Sequence, residues 1–332
     1  MSPLPSGDTI EQAVRLSGRA PSLHNSQPWR WVFDGAALHL YSVRERMLPA
    51  TDASGRQLLI SCGLALGHLR AALAAAGWQT RVAYFPNPTR HEHLATVTFE
   101  PARIVTDADR DRAAAIEVRY TDRLPFGAPK DWREFEPVLP VVVDPRDAVI
   151  TVLPSEARSE LAHASRLTAA VRRYDSSYQA ELQWWTGHSL AAEGIPPEAR
   201  ISTEERQRVE VSRVLPAVGG ESRRTEVDED RSVVVVLSGD DSAIEFLRCG
   251  EALSTLLLEC TVAGYHTCPL THVTELPRSR AMIRALTGRD EQPQVLVRIG
   301  SVPVSERRLP RTPRLPLTQI LTLTAPATAV SE

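Results

Sequence analysis

A ten-residue segment near the N-terminus, residues 20–29 (APSLHNSQPW), combines turn-forming residues with polar side chains. Its two prolines restrict the backbone conformations that the segment can adopt. Ser22, Asn25 and Gln27 place hydrogen-bond donors and acceptors two or three residues apart, a spacing that suits the edge of a flat heteroaromatic ring. The segment therefore predicts a ligand-binding loop. The alternative interpretation is a polar connection between a helix and a strand, in which the neighbouring tryptophans anchor the core.

A second segment, residues 119–123 (RYTDR), carries two arginines and a hydroxyl at alternate positions, Arg119, Thr121 and Arg123. In an extended segment all three side chains face the same side. Guanidinium groups bind phosphate through paired hydrogen bonds, and the threonine hydroxyl adds a further donor. The pattern therefore predicts a phosphate site. Residues 15–19 (RLSGR) have the same spacing, but we interpret them as the end of a helix.

Two further segments could contribute to a site, but each is a weaker signal by itself. Residues 267–272 (TCPLTH) follow an apolar helix and its terminal Gly264, which is typical of a proline-containing turn into a strand. Residues 307–317 (RRLPRTPRLPL) form a basic, proline-flanked tail, and most basic tails are solvated. Neither segment predicts a ligand without additional information.

The elements that must position these segments occur twice in the chain. Residues 62–66 (CGLAL) align with residues 249–253 (CGEAL) at an offset of 187 residues, and the match continues to a glycine at the end of each helix. A helix that is apolar on nearly every face must be covered all round. Two such helices predict two similar halves that pack about a pseudo-twofold axis. The alternative is a chance similarity between two unrelated helices.

Composition limits the classes of partner. The 332-residue chain is 42% hydrophobic, enough for a sizeable core, and its net charge is −3. The lysines and arginines are scattered, which argues against nucleic-acid or membrane partners. The N-terminus has no signal-peptide pattern, and the most apolar run, residues 58–67, is too short to cross a bilayer. The four cysteines lie in or beside apolar helical segments, so a reducing cytoplasm is expected.

Residues 191–230 are polar, are punctuated by glycine and proline, and have no counterpart in the first half. We interpret this segment as a surface insertion, either a lid over a cofactor site or a solvated excursion. The sequence leaves both interpretations open. The insertion follows a helical stretch with four aromatic residues, Tyr174, Tyr178, Trp184 and Trp185.

Together these motifs resemble the nitroreductase superfamily, and most closely the Acg family of actinobacterial proteins that bind flavin mononucleotide (FMN). The resemblance rests on the APSLHNSQPW loop, the GRQLLISCGLAL helix at residues 55–66, the RYTDRLPF run at residues 119–126, and the tryptophan-containing helix before the insertion. It extends over almost the whole chain. It implies an α+β, nitroreductase-like fold with two similar halves, each a mostly antiparallel sheet flanked by helices, and long central helices at the pseudo-twofold interface.

The resemblance also implies where the halves begin and end. The first nitroreductase-like half is expected at residues 1–112 and the second at residues 113–332, with the lid insertion at about residues 191–230 in the second. The chain is then a monomeric pseudo-dimer, and further self-association stays open.

A set of flavin-binding residues from both halves follows from the resemblance. The first half supplies the ligand-binding loop. The second supplies the arginine segment, a backbone amide at Thr271 that faces the flavin N5 atom, two residues against the ring, and the basic tail. Because the mirror-related site lacks these parts, one FMN per chain is expected. The implied cofactor-binding residues are Pro21, Ser22, Leu23, Asn25, Gln27, Arg119, Thr121, Arg123, Pro269, Leu270, Thr271, Arg311 and Arg314.

The implied activity is oxidoreduction, with NADPH or NADH as a transient donor and a small nitroaromatic, quinone or other flat molecule as the acceptor. The alternative is a non-catalytic protein that sequesters FMN beneath a closed lid. No side chain is assigned a catalytic role. The sequence has no glycine-rich dinucleotide motif, P-loop or nucleophile elbow. No metal is expected, because the spacing of the following residues fits no zinc pattern: Cys260, His266, Cys268 and His272.

Overall fold

The computed structural model describes residues 3–187, 192–219, 222–303 and 310–324. Helices and strands are mixed along these ranges, which confirms the predicted α+β class. The helices are α1 (Gly7–Ser17), α2 (Arg56–Ala75), α3 (Asp107–Val118), α4 (Trp132–Phe135), α5 (Leu139–Val142), α6 (Arg158–Arg172), α7 (Ser176–Gly187), α8 (Thr203–Gln207), α9 (Ala243–Val262), α10 (Pro277–Thr287) and α11 (Leu317–Ile320). The strands are β1 (Trp29–Phe33), β2 (Leu38–Ser42), β3 (Trp78–Tyr84), β4 (His93–Pro101), β5 (Val149–Leu153), β6 (Val233–Gly239), β7 (His266–Leu270), β8 (Gln292–Gly300) and β9 (Leu321–Leu323).

The strands form two sheets with the same internal order. The first sheet runs β3-β4-β2-β1-β9, and the second, from its opposite edge, runs β7-β8-β6-β5. All neighbouring strands are antiparallel except β1 and β9, which are parallel. Each sheet places a long helix between its second and third strands in chain order, α2 in the first and α9 in the second. The two-halved architecture of mostly antiparallel sheets is therefore as predicted.

The two central helices cross at a pair of glycines. Both helices have 20 residues, and their bounds coincide at the offset of 187 found in the sequence. A Cβ added at Gly63 would lie 2.0 Å from the carbonyl oxygen of Leu247, and one added at Gly250 would lie 2.2 Å from that of Ile60. These four residues are themselves related by the same offset. Only glycine allows the two backbones to approach this closely, so the contact fixes the helix crossing.

Helix α2 is apolar on nearly every face because it is covered on all sides. It contacts α1, α3, β3 and, most extensively, α9. Its N-terminus is fixed by Asp52, whose carboxylate accepts hydrogen bonds from the amides of Gln57 and Leu58. The helix is long and apolar enough to span a membrane, but 67% of its most apolar window is buried inside the protein. Its composition is therefore that of a core helix.

The insertion occupies the connection between β5 and β6. In the first sheet the corresponding connection, between β1 and β2, is the short turn at residues 34–37. The connection between β5 and β6 includes α6, α7 and α8. The expected lid at about residues 191–230 occupies its later part and stays a prediction. Tyr174 lies in the turn between α6 and α7, whereas the other three aromatic residues of this stretch lie on α7. The expected boundary at residue 112 falls inside α3 and stays a prediction.

Candidate functional site

A cavity lies where four separate segments of the chain meet. The segments are the ligand-binding loop, the end of α3 with residues 119–123, residues 194–199 of the insertion, and residues 310–314 of the tail. The structure therefore brings together residues that are up to 295 positions apart in the chain, from Arg19 to Arg314. Eight of the predicted residues line this cavity: Pro21, Ser22, Asn25, Arg119, Thr121, Arg123, Arg311 and Arg314. Residues 307–309 of the predicted tail lie outside the described residues.

The ligand-binding loop is held in an uncommon backbone conformation. His24, Asn25 and Gln27 have φ angles of 49°, 60° and 49°, in the left-handed region that residues with a side chain seldom adopt. The Ser22 hydroxyl accepts a hydrogen bond from the Gln27 amide at 2.9 Å, and the Leu23 amide donates to the hydroxyl of Ser61 on α2 at 3.3 Å. Backbone strain of this kind persists only where surrounding contacts enforce it, and it concentrates at ligand sites.

Gln27 does not line the cavity, but it connects three of its walls. Its side-chain Nε2 donates to the carbonyl of Ala192 in the insertion at 2.7 Å. Its Oε1 accepts a hydrogen bond from the amide of Leu315 in the tail at 2.9 Å. The neighbouring Asn25 Nδ2 donates to the carbonyl of Pro313 at 3.3 Å, and its Oδ1 is buried without a partner among the described residues. The loop therefore fixes both the insertion and the tail over the cavity.

Three arginines, Arg19, Arg119 and Arg314, converge at one end of the cavity. Arg119 is the residue at which α3 ends and the chain becomes extended, and it is only 4% exposed. Its Nη2 and that of Arg314 both donate to the backbone carbonyl of Arg19, at 3.3 Å and 3.2 Å. Within the described ranges none of the three pairs with a carboxylate, and each has a buried side-chain nitrogen without a partner.

Burial and mutual repulsion oppose the positive charges of this cluster. Burial and the charge of Arg19 lower the pKa of Arg119 to about 10. The pKa of Arg314 is also lowered, by burial and then by Arg119 and Arg19. Buried cations without counter-charges are costly unless an anion joins them, and guanidinium groups favour planar oxyanions such as phosphate. Arg311 differs from these three, because it is exposed and its Nη1 lies 2.7 Å from Glu117.

Arg123 lines a second part of the cavity, and His24 lies in the loop beside it. His24 is 5% exposed, and both of its ring nitrogens lack a partner among the described residues. Burial, followed by the charges of Arg213 and Arg123, lowers the pKa of His24 well below its usual value, so the ring is neutral. Arg123 donates to the carbonyl of Ala199 at 3.0 Å and so contacts the insertion. A buried polar ring without partners indicates space for a polar ligand.

The segment after α9 lies beside the cavity but does not line it. The Asp122 amide donates to the carbonyl of Thr267 at 3.0 Å, which joins the arginine segment to β7. Leu270 is 4% exposed and packs in the second hydrophobic core, so its side chain does not reach the cavity. Thr271 accepts a hydrogen bond from Arg213 Nη2 at 3.2 Å. The structure therefore leaves Pro269, Leu270 and Thr271, together with Leu23 and Gln27, outside the cavity lining.

Sequence reasoning missed Arg19, which lines the cavity, and His24, a buried loop residue next to it. Arg19 was included in the RLSGR run, which matches the spacing of the arginine segment, and it follows α1 directly as a helix end would. Its position beside Arg119 and Arg314 depends on the tertiary structure. His24 lies between two predicted residues of the loop, but its type alone does not indicate a ligand.

The four residues considered for a metal do not converge on one point. His266 Nδ1 lies 2.9 Å from a carboxylate oxygen of Asp122, and His272 Nε2 lies 2.9 Å from the hydroxyl of Ser165. Cys260 and Cys268 are buried free thiols whose pKa values are raised by burial. Within the described ranges, no group of three or more His, Cys, Asp or Glu side chains could hold a metal ion.

Known proteins resemble this chain over almost its full length. A Mycobacterium tuberculosis protein named "Putative NAD(P)H nitroreductase acg" is 48% identical over 314 residues, which cover 94% of this chain and 95% of the relative. An uncharacterized protein of the same organism is 47% identical over 317 residues, which cover 94% of this chain and 92% of the relative. No protein-family model matches the chain.

Similarity to solved structures is weaker. A crystal structure described as "a putative nitroreductase" from Anabaena variabilis is 9% identical, covers 91% of this chain and 90% of its own, and gives a TM-score of 0.48. The sequence similarity to the mycobacterial relatives is the stronger finding. On that basis the chain belongs to the nitroreductase superfamily, as a member of its Acg-like family.

Proposed function

We propose that the chain binds one FMN in this cavity and acts as an NAD(P)H-dependent oxidoreductase. The observation that carries the proposal is the cluster of Arg19, Arg119 and Arg314, in which Arg119 is buried, the other two are partly buried, and none has a carboxylate partner among the described residues. A phosphate monoester supplies the missing negative charge and up to three acceptor oxygens. Free donors remain on all three guanidinium groups, so the donor set fits the phosphate end of FMN.

The other part of the cavity fits a polar aromatic ring. The loop backbone is fixed by Ser22, and the unpartnered polar atoms of His24 and Asn25 point to a ligand with both donors and acceptors. Arg123 adds a positive charge at the same end, which favours electron density on a bound ring. Thr271, held by Arg213, would border the ring from β7. These residues would bind and orient FMN, which supplies hydride transfer at its N5 atom when bound.

The name of a relative supports this assignment. The mycobacterial relative that is 48% identical is named a putative NAD(P)H nitroreductase. We therefore propose NADPH or NADH as the electron donor and a small flat molecule, such as a nitroaromatic or quinone, as the acceptor. The functional unit would be a single chain in a reducing cytoplasm, and all four cysteines are free thiols.

A second cavity explains why one FMN per chain is expected. In the second half, residues 142–147 precede β5 as the ligand-binding loop precedes β1, and they line a different cavity between α2 and α9. This mirror cavity is lined by carboxylates, among them Asp144, Asp147 and Glu251, and its two arginines, Arg70 and Arg112, are each paired with a carboxylate. Burial and Glu251 raise the pKa of Asp147 to about 6. Such a lining opposes phosphate, so the mirror cavity would exclude FMN.

A specific observation also favours the second candidate, a flavin-sequestering protein. Residues 192–199 close one side of the cavity, and they are held by hydrogen bonds from Gln27 to Ala192 and from Arg123 to Ala199. Glu193 also lies 3.7 Å from Arg46, which extends the closure. If these contacts persist with FMN bound, the insertion is a lid that denies NAD(P)H access to the ring.

Anaerobic reduction of the flavin separates the two candidates. The protein is saturated with FMN. Its flavin absorbance at about 450 nm is followed after addition of NADPH or NADH, and then after addition of dithionite. Loss of this absorbance on addition of NADPH or NADH supports the oxidoreductase. Bleaching by dithionite alone supports the sequestering protein. A protein that takes up no FMN would contradict both candidates.

A further inference from the structure

Two histidines on the first sheet face each other through their ring nitrogens. His39 lies on β2, and His93 begins β4, the neighbouring strand. His39 Nδ1 lies 3.2 Å from His93 Nε2. The hydroxyl of Thr96 lies 3.0 Å from the first nitrogen and 3.1 Å from the second. Three donor atoms therefore form a nearly equilateral triangle.

The outer nitrogen of His39 is fixed by an acidic residue. Its Nε2 lies 3.0 Å from Asp34 Oδ2. The other carboxylate oxygen of Asp34 accepts hydrogen bonds from the amides of Ala36 and Ala37, both at 2.8 Å, so the turn before β2 holds the carboxylate. Donation of the Nε2 proton to Asp34 leaves Nδ1 of His39 with its lone pair directed at the triangle.

His93 is oriented in a comparable way. Its ring stacks on that of Tyr41, with centroids 4.6 Å apart and an interplanar angle of 23°. A hydrogen bond with the backbone of Ala95 engages it from its own strand. Its Nε2 faces Nδ1 of His39 and the hydroxyl of Thr96. When both ring nitrogens carry lone pairs, the single Thr96 proton cannot satisfy the two of them.

We propose that His39 Nδ1, His93 Nε2 and Thr96 Oγ1 form a binding site for a divalent transition-metal ion of the zinc type. Two imidazoles that bind one tetrahedral ion at about 2.0–2.1 Å have nitrogens about 3.3 Å apart, close to the 3.2 Å found here. Imidazole is the preferred ligand of such ions. Metal-binding histidines characteristically donate their other N–H to a carboxylate or carbonyl, the role that Asp34 has.

The site is separate from the proposed FMN site. None of its residues lines that cavity, and it does not depend on flavin binding. The side chain of His39 is 18% exposed, so solvent and a metal ion can reach the triangle, and water can complete the coordination. With two imidazoles and a hydroxyl as protein ligands, the site is expected to bind zinc less tightly than a structural site with four protein ligands.

Calorimetric titration of the untagged protein with Zn²⁺ tests this proposal. We expect one saturable site per chain and no saturable binding of Mg²⁺, which prefers oxygen ligands. H39Q and H93Q should each lower the zinc affinity at least about 10-fold, and D34N should lower it about 10- to 100-fold by releasing the His39 ring. H91Q is the matched control, because His91 is an exposed histidine two residues from His93 and should leave the affinity unchanged.

A measurement on the wild-type protein tests the zinc site even if the variants fail to fold. X-ray absorption of the zinc-loaded protein at one equivalent should show two imidazoles bound to the metal. Fewer than two imidazoles, no saturable zinc binding, or equal affinity in wild type, H39Q and H93Q would overturn the proposal. Equal affinity in the three proteins would mean that the rings of His39 and His93 are joined by a hydrogen bond and do not bind a metal.

Discussion

Replacing Arg119 with methionine is expected to stabilise the protein without FMN and to weaken FMN binding. Methionine keeps much of the side-chain volume but removes a buried charge that, within the described ranges, has only one hydrogen bond, to the carbonyl of Arg19. In the absence of an anion this charge opposes folding. In the presence of FMN the same charge would contribute directly to phosphate binding.

The stabilisation can be estimated from the pKa of Arg119. Burial and Arg19 lower this pKa from 12.5 to about 10, which corresponds to roughly 3 kcal/mol against the protonated folded state. The penalty is fully present below pH 10, where Arg119 is protonated in both states, and it disappears above the unfolded-state pKa. Loss of the hydrogen bond to Arg19 offsets part of the gain. We therefore expect a net increase of about 1–2 kcal/mol in the unfolding free energy at pH 7.

The loss of FMN affinity follows from the same side chain. A charge-assisted hydrogen bond contributes about 1.5–3 kcal/mol, which corresponds to a dissociation constant about 10- to 150-fold higher. Urea denaturation of the FMN-free protein gives the first quantity, and fluorescence titration with FMN gives the second. R110M, near the start of α3, is the matched control, because Arg110 is exposed and among the described residues forms an ion pair with Asp107 alone, so both quantities should change little. If R119M destabilises the FMN-free protein and leaves FMN affinity unchanged, the proposed role of the cluster is wrong.

Three further changes test the fold, the lid and the mirror cavity. G63A should lower the unfolding free energy by more than about 3 kcal/mol in urea denaturation, because the new Cβ would lie 2.0 Å from a backbone oxygen. G187A should have little effect, because among the described residues its new Cβ meets no non-neighbouring atom within 4 Å. Q27E removes the hydrogen-bond donor to the Ala192 carbonyl of the insertion but keeps the acceptor for the Leu315 amide of the tail. Proteolysis within residues 192–199 should therefore become several-fold faster. An unchanged rate would mean that this hydrogen bond does not hold the insertion in place. D147N should raise the unfolding free energy by about 2 kcal/mol at pH 7.5, because the pKa of Asp147, raised to about 6, disfavours its carboxylate in the folded state. The gain should vanish below pH 3.8, where the carboxyl group is protonated in both states. A gain that does not depend on pH would contradict this cause.

The core of the fold could be predicted from the sequence because its determinants are local or repeated. The two apolar helices share a Cys-Gly pair at an offset of 187, and the structure places the glycines of these pairs, Gly63 and Gly250, at the helix crossing. A helix with no polar face has to be covered on all sides, so the sequence alone indicates that the two helices lie at the centre. The alternation of Arg119, Thr121 and Arg123 similarly indicates one shared face, and all three line the cavity.

Other parts of the site depend on contacts between distant segments. Arg19 and Arg314 are 295 residues apart, and the hydrogen bond from Arg314 to the carbonyl of Arg19 is visible only in the folded chain. The orientation of Leu270 is set by the pleat of β7, which turns this side chain into the core. Polar composition marks residues 191–230 as the insertion, whereas α6 and α7, which lie in the same connection between β5 and β6, have ordinary helical sequences that give no such signal.

Comparison of FMN with riboflavin is the most direct test of the central claim. The two ligands share the ring and differ in the phosphate, so the ratio of their dissociation constants isolates the contribution of the arginine cluster. We expect FMN to bind at least about 100-fold more tightly than riboflavin, with one FMN per chain, and R119M to reduce this ratio without altering riboflavin affinity. Equal affinity for the two ligands in the wild-type protein, or an unchanged ratio in R119M, would contradict the assignment of Arg19, Arg119 and Arg314 as the phosphate site.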